Sequence, residues 1–342
     1  MSRELLVQLA RRTMAHAQAG TQPLADGVRE VPVGNYTDPD RWQLEIDRIF
    51  KRVPLLLGPS CELAEPGSYR ALEIAGVPIL LSRGADGELR SFVNMCSHRG
   101  AVLMEPGSGS ARRFTCPYHA WSYDQQGTLV GILDREDFGP VDTSCHGLTP
   151  LPVGERAGLI FGSLTPRHDG QRHTIDLDAA LCGYDAVFEH LGLADQHLVG
   201  RQQVDGPNWK VAYDGYLDLY HLPILHKATF GPDYSNKAVF DAWGPHQRSV
   251  QPDHRMAALA DIPEAEWSQK QLTSGVWTIF PHVSIAGFVI DRPSHDSEQP
   301  GDTRLQMISQ LLPGPDQWSS VTVQHFLAPF EPTAEEQAVI EE

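Results

Sequence analysis

The chain has 342 residues, of which 41% are hydrophobic and 21% charged, enough for two domains with buried cores and too apolar for a disordered protein. A formal net charge of −17 argues against nucleic acid as a partner, because that binding rests on Lys and Arg neutralising phosphate. No apolar run reaches the ~20 residues a membrane helix needs, and Arg3, Glu4, Arg11 and Arg12 interrupt the segment where a signal peptide would be apolar. No membrane contact and a cytoplasmic location are therefore expected; Glu4 also speaks against an organelle transit peptide.

Three blocks follow in order. Residues 1–50 read as a helical leader: Leu5, Leu6, Leu9, Ala10 and Met14 make a helical stripe, and Trp42, Leu44, Ile46, Ile49 and Phe50 a second, shorter one. Residues 51–165 read as β-rich. Tyr69–Ile74, Val77–Leu81, the turn Gly84–Gly87 and Leu89–Val93 form hairpins that run into Cys96. Trp121–Tyr123, the turn Asp124–Gly127 and Thr128–Val130 form another just after Cys116. Residues 166–342 mix the two classes: Leu177–Leu193 and Asn208–His221 look helical, Val276–Ile290 and Val321–Leu327 look like strands. Cys61, Cys145 and Cys182 belong to no motif and are expected as buried free thiols. The odd total of five cysteines points to a reducing compartment.

Two constellations carry chemistry. The first is Cys96-Ser97-His98-Arg99-Gly100 followed, after the stretch Arg99–Thr115, by Cys116-Pro117-Tyr118-His119. Each loop offers one thiolate and one imidazole. Two cysteines can hold one iron of a [2Fe–2S] cluster and two histidines the other. Neutral imidazoles in place of thiolates raise the reduction potential to about −150 to +300 mV. Structural zinc is the competing reading, but zinc pairs usually group Cys with Cys and His with His, whereas here each loop carries one of each.

The second is Asp218-Leu-Tyr-His221-Leu-Pro-Ile-Leu-His226. Asp218 and His221 are three apart and share a helix face. His226 is five beyond His221, which a straight helix would swing to another side. Pro223 is expected to break or kink the helix near residue 222 and bring His226 back. Two imidazoles and a carboxylate suit a mononuclear Fe(II) with positions open for dioxygen and substrate. Tyr213, Tyr216, Phe230 and Phe240, and further on Trp277, Phe280, His282, Ile285 and Phe288, could line an apolar cavity, although aromatics at strand spacing usually pack as core.

The stretches Asn94–Gly100 and Cys116–Tyr123, with Gly127, resemble the motif of Rieske non-haem iron oxygenase large (alpha) subunits, the aromatic-ring-hydroxylating family. Asn208-Trp209-Lys210 through His221 resembles that family's catalytic helix. Respiratory Rieske proteins carry a further cysteine in each loop, where this chain has Ala101 and Tyr118. The resemblance implies an α+β fold: a β-rich Rieske [2Fe–2S] domain at 51–165, a helix-grip-like catalytic domain at 166–342 made of an antiparallel sheet with helices, and the leader packing on the catalytic domain. It implies Cys96, His98, Cys116 and His119 as cluster ligands and His221 and His226 as iron ligands. It gives Asp218 a bridging role, from His221 to His119 of the partner subunit in a head-to-tail homotrimer. It implies electrons from an NAD(P)H-dependent reductase, with or without a ferredoxin, O2 as co-substrate, a small aromatic or alicyclic organic substrate, and a ring with or without a small β subunit.

The family's third iron ligand is an aspartate on a C-terminal helix. Phe330–Glu342 reads as the approach to that helix, so the ligand is expected beyond residue 342. Glu341 and Glu342 come too early by comparison, and Asp241 and Asp291 are not read as ligands. The alternative function is a Rieske electron-transfer protein without a working mononuclear iron site.

Overall fold

The computed structural model describes residues 2–166, 174–230, 235–291 and 302–333. The chain divides into two compact units, Gln43–Leu177, and Met1–Trp42 together with Asp178–Glu342.

The Gln43–Leu177 unit is built of antiparallel strands. In chain order they are β1 (Leu55–Pro59), β2 (Ser68–Ile74), β3 (Val77–Arg83), β4 (Leu89–Val93), β5 (Gly107–Ser110), β6 (Arg113–Thr115), β7 (Ser122–Asp124), β8 (Leu129–Gly131), β9 (Pro150–Leu151), β10 (Val153–Arg156) and β11 (Leu159–Gly162). They form a five-stranded sheet in the order β5-β2-β3-β4-β9 and two three-stranded sheets, β6-β7-β8 and β1-β11-β10. The expected hairpins are present, because β-branched and aromatic runs alternate with turns that contain Gly. Leu80, Phe92, Phe114, Trp121, Tyr123 and Leu129 pack into one core with Cys96 and Cys116 among them. A buried ion pair joins Arg70 to Glu62 in the same unit.

The second unit is dominated by a seven-stranded antiparallel sheet. Its strands are β12 (His197–Gly206), β13 (Val239–Trp243), β14 (His246–Val250), β15 (Val276–Ile279), β16 (Val283–Asp291), β17 (Asp302–Pro313) and β18 (Ser320–Ala328), in the order β12-β18-β17-β16-β15-β14-β13. The helix α1 (Ser2–Ala19) buries Leu6, Val7, Ala10 and Thr13 in this unit. Arg12 pairs with Asp241 at 2.7 Å, and Arg3 donates to the Trp267 carbonyl at 3.2 Å. The helix Trp209–Leu217 lies against β15, β17 and β18.

Several expectations change. Val276–Ile290 is not one strand but the hairpin β15–β16, reversed at Phe280-Pro281-His282, where Pro281 can donate nothing to a ladder. Leu177–Leu193 is helical only in pieces, Leu177–Leu181 and Asp185–Phe188, because the chain turns left-handed at Cys182 and Gly183. Cys145 and Cys182 are exposed and Cys61 is half-buried, so the expected burial of these three thiols fails; none of them is in a disulfide. The strands β12, β14 and β17 carry too many polar residues to stand out by alternation, and β13 is a short run with Asp241 at its centre.

Candidate functional site: two metal constellations

The first constellation sits on two loops of the same design. The Cys96 N–H donates to the Ala101 carbonyl at 2.8 Å, and Gly100 N–H returns to the Cys96 carbonyl at 2.9 Å. The Cys116 N–H donates to the Trp121 carbonyl at 2.8 Å, and Ala120 N–H returns to the Cys116 carbonyl at 3.0 Å. Each loop therefore closes on its own cysteine, and each needs a left-handed residue four places later: Gly100 with φ 72° and Ala120 with φ 55°. Both cysteines are 3% exposed. The imidazoles of His98 and His119 stand side by side, ring centres 4.9 Å apart, and His98 stacks on Trp121 at 4.7 Å and 10°. Desolvation, then His119 and Arg99, lower the pKa of His98 and so favour the neutral ring, which is the form that can ligate.

Tyr123 is the residue that sequence reasoning missed. Its hydroxyl lies 3.1 Å from Cys96 Sγ. The Ser97 N–H donates to the same phenol oxygen at 3.1 Å, and the phenol hydrogen has two acceptors in reach, Cys96 Sγ and the Ser97 Oγ 2.9 Å away, whose own hydrogen goes to the His146 carbonyl at 2.7 Å. Burial, and then the contact with Cys96, push the phenol up to about 12. In the sequence it is one more aromatic of a hairpin, and only the fold carries it back to the first loop.

The second constellation lies on an interrupted helix. Asn208 caps the helix Trp209–Leu217, accepting from the Lys210 N–H at 2.9 Å. The helix ends at Leu217, four residues before the expected end at His221. Asp218 causes the stop: its carboxylate accepts from the Tyr220 N–H at 2.6 Å, and its backbone is extended. Pro223 does not break this helix. It sits in the first turn of the next one, Leu222–Leu225, where its fixed φ suits a helix start. His221 and His226 cap the two ends of that single turn, which brings them together, ring centres 5.2 Å apart at 62°. His221 Nδ1 lies 3.2 Å from the second carboxylate oxygen of Asp218. Among the described residues no three His, Cys, Asp or Glu side chains converge to hold one ion, so the donors come in pairs at both places. Glu341 and Glu342 lie outside the described residues.

The candidate pocket residues divide. Trp277, His282 and Ile285 are fully buried, and Trp277 carries the guanidinium of Arg248 over its ring at 4.8 Å, so these are core. Phe240 is exposed on the edge strand β13. Tyr216 faces the sheet and accepts from Gln324 Nε2 at 3.0 Å, and burial pushes the Tyr213 phenol up to about 12. The side chain of Phe230 lies outside the described residues.

The residues present fit a [2Fe–2S] cluster: two buried thiols, two adjacent imidazoles and two rigid loops. For a mononuclear iron they supply two imidazoles, one of them oriented by a carboxylate. Among the described residues no helix is long and apolar enough to cross a membrane.

Comparison with known proteins agrees with both. A family model described as Rieske [2Fe-2S] domain matches residues 54–139, and one described as ring hydroxylating alpha subunit (catalytic domain) matches residues 193–291. The alpha subunit of chlorobenzene dioxygenase from Cupriavidus sp. (strain PS12) is 33% identical over 260 residues, covering 68% of this chain and 56% of that protein. The carnitine monooxygenase oxygenase subunit of Escherichia coli (strain K12) is 32% identical over 217 residues, covering 62% of this chain and 55% of that protein. The chain thus spans about half the length of the curated relatives it matches. The crystal structure of naphthalene 1,2-dioxygenase from Rhodococcus sp. bound to indole shares the fold, with a TM-score of 0.71 at 23% identity, covering 99% of this chain and 81% of that one. A quaternary ammonium Rieske monooxygenase in complex with L-carnitine does so with a TM-score of 0.69 at 22% identity, covering 91% and 78%. The two matched models together imply a Rieske [2Fe–2S] cluster and a mononuclear iron as cofactors. A cluster domain leading into a ring-hydroxylating catalytic domain on a single chain places this protein in the Rieske non-haem iron oxygenase alpha-subunit family.

Proposed function

We propose that this chain is the terminal oxygenase component of a Rieske system. It uses electrons that originate on NAD(P)H, together with O2, to mono- or dioxygenate, or oxidatively demethylate, a small aromatic or alicyclic molecule. The observation that carries the reading is the presence, on one chain, of two matched Cys/His loops and of a His221–His226 pair with Asp218 on His221. When bound, the cluster supplies single electrons and the iron supplies the place where dioxygen is activated.

The protein's own groups would divide the work as follows. Cys96 and Cys116 hold one cluster iron and His98 and His119 the other. Tyr123 steadies the charge on Cys96 by its hydrogen bond. Asp218 fixes the His221 tautomer by accepting from Nδ1–H, which leaves Nε2 for the metal beside His226. Asp218 also bridges to His119 of the partner subunit, which makes a homotrimer the working unit. A reductase, with or without a ferredoxin, is the electron source, and the cytoplasm the compartment.

Iron analysis of the purified protein tests this. Three irons per chain, with a reduced-state electron-spin resonance of mixed nitrogen and sulfur ligation, is the expected result. Two irons per chain would leave the electron-carrier reading in its place. A colourless zinc protein would end both.

A further inference from the structure

A third loop supports the first cluster loop. It is the single 3-10 turn Thr143–Cys145, between β8 and β9, capped by Asp142, whose carboxylate accepts from the Ser144 N–H at 3.0 Å. His146 closes the turn, with its N–H on the Thr143 carbonyl at 3.3 Å and its ring Nδ1 2.8 Å from the Asp142 carbonyl. The turn carries none of the four cluster donors. It reaches the first cluster loop through Ser97, whose hydroxyl donates to the His146 carbonyl at 2.7 Å.

That bond decides what Ser97 can do on its other side. A serine hydroxyl has one hydrogen and two lone pairs. With the hydrogen committed to His146, Oγ meets the Tyr123 hydroxyl, 2.9 Å away, as an acceptor. The Ser97 N–H donates to the phenol oxygen at 3.1 Å, so Tyr123 keeps one hydrogen to give. Two atoms compete for it: Ser97 Oγ, and Cys96 Sγ at 3.1 Å. As a cluster ligand Cys96 is a thiolate and can only accept. Tyr123 and Cys96 are both buried, so water does not take the phenol's place at the sulfur.

We infer that Ser97 is a positioning residue that sets the cluster's potential: held as an acceptor by His146, it draws the Tyr123 hydrogen away from Cys96. A hydrogen bond to a cluster sulfur stabilises the more negative, reduced state and so raises the potential. Ser97 therefore keeps the potential below the value that Tyr123 alone would set, and the reduced cluster is the stronger electron donor for it. The inference rests on the cluster at Cys96, which the oxygenase and electron-carrier readings share. It gives a task to a side chain that ligates nothing and to a turn outside both cluster loops.

Protein-film voltammetry of the cluster-loaded protein and its variants tests it. Ser97→Ala removes the competing acceptor, and the equilibrium should shift about fivefold toward the reduced state, a rise of about 40 mV at 59 mV per tenfold for one electron. Ser97→Gly should give the same rise, which separates loss of the hydroxyl from the fit of a methyl. Ser97→Thr keeps the hydroxyl and should return the original potential. In a Tyr123→Phe background Ser97→Ala should change nothing, because no phenol hydrogen is left to redirect; such a cycle isolates the coupling of two contacting residues. An unchanged or lowered potential in both Ser97→Ala and Ser97→Gly would overturn the inference. So would the same rise with Tyr123→Phe present, which would show that Ser97 acts through solvent access or loop shape. A protein with no reversible one-electron couple would sink the cluster reading itself, whereas two or three irons per chain both leave the Ser97 comparison standing.

Discussion

The two constellations are held by different physics. The cluster loops are closed by backbone hydrogen bonds onto their own cysteines, carry both thiols into a packed core, and bring four donors from two short stretches. The His221–His226 segment also closes on itself, with the Leu225 N–H donating to the His221 carbonyl at 2.8 Å and the His226 N–H to the Leu222 carbonyl at 3.1 Å, but it lies at the surface of its unit and not in a core. It is one helical turn, Leu222–Leu225, that follows the helix Trp209–Leu217 across Asp218–His221, with Tyr220, Ile224 and Leu225 69%, 81% and 72% exposed. One site is completed by its own loops. The other is one exposed helical turn with a carboxylate on one of its two histidines.

The largest test of that difference is metal retention. Cys116→Ala should remove the cluster altogether, with loss of two of three irons and of the visible colour, because a buried thiolate has no substitute nearby. His221→Ala should remove one iron and leave the cluster spectrum unchanged. Loss of the cluster in the second variant would show that the two sites are not independent.

Asp218→Ala should be the next largest effect. Both metals remain bound, but reoxidation of the reduced cluster by O2 and substrate slows about 100-fold, the range expected when a group orienting a metal ligand is lost. Stopped-flow absorbance reads it directly. A normal rate would remove Asp218 from the electron path. Asp218→Asn should recover part of the rate, because the amide oxygen can still accept from His221.

The same contrast decides what is legible in the sequence. The cluster loops are legible because their chemistry is local: Cys96, His98, Cys116 and His119 sit at fixed spacings, and hairpins flank them. The helix break is legible in kind and misplaced in position. Pro223 draws attention as a breaker, yet Asp218 ends the helix with a side-chain bond to the Tyr220 N–H, a competition invisible to periodicity. Pairing across the seven-stranded sheet cannot be seen at all. Thr278, Ser284, Ser309 and Gln324 come from four different strands and meet only through register. The same holds for Tyr123 and Cys96, which are brought together across the core.

Tyr123→Phe measures that last contact. The hydroxyl stabilises charge on Cys96, and the reduced cluster carries more negative charge than the oxidised one. Removing the donor should lower the reduction potential by on the order of 50 mV, about a tenfold shift for one electron. Protein-film voltammetry checks it. An unchanged potential would mean that the phenol hydrogen goes to Ser97 Oγ, 2.9 Å away, and not to the sulfur.

The smallest effect separates the two cluster loops from each other. They share a hydrogen-bond pattern and a left-handed residue, but one uses Gly100 and the other Ala120. An L-residue in that conformation costs about 1–2 kcal/mol, offset in part by the lower chain entropy of alanine when unfolded. Gly100→Ala should therefore destabilise by about 1 kcal/mol, and its new methyl would also press on Met95 at 3.2 Å. Ala120→Gly should stabilise by up to ~1 kcal/mol and leave the cluster spectrum alone. Chemical denaturation of the two variants gives both signs. If Ala120→Gly destabilises instead, the methyl of Ala120 contributes packing that outweighs its backbone strain, and the two loops are alike in hydrogen bonding but not in what holds them.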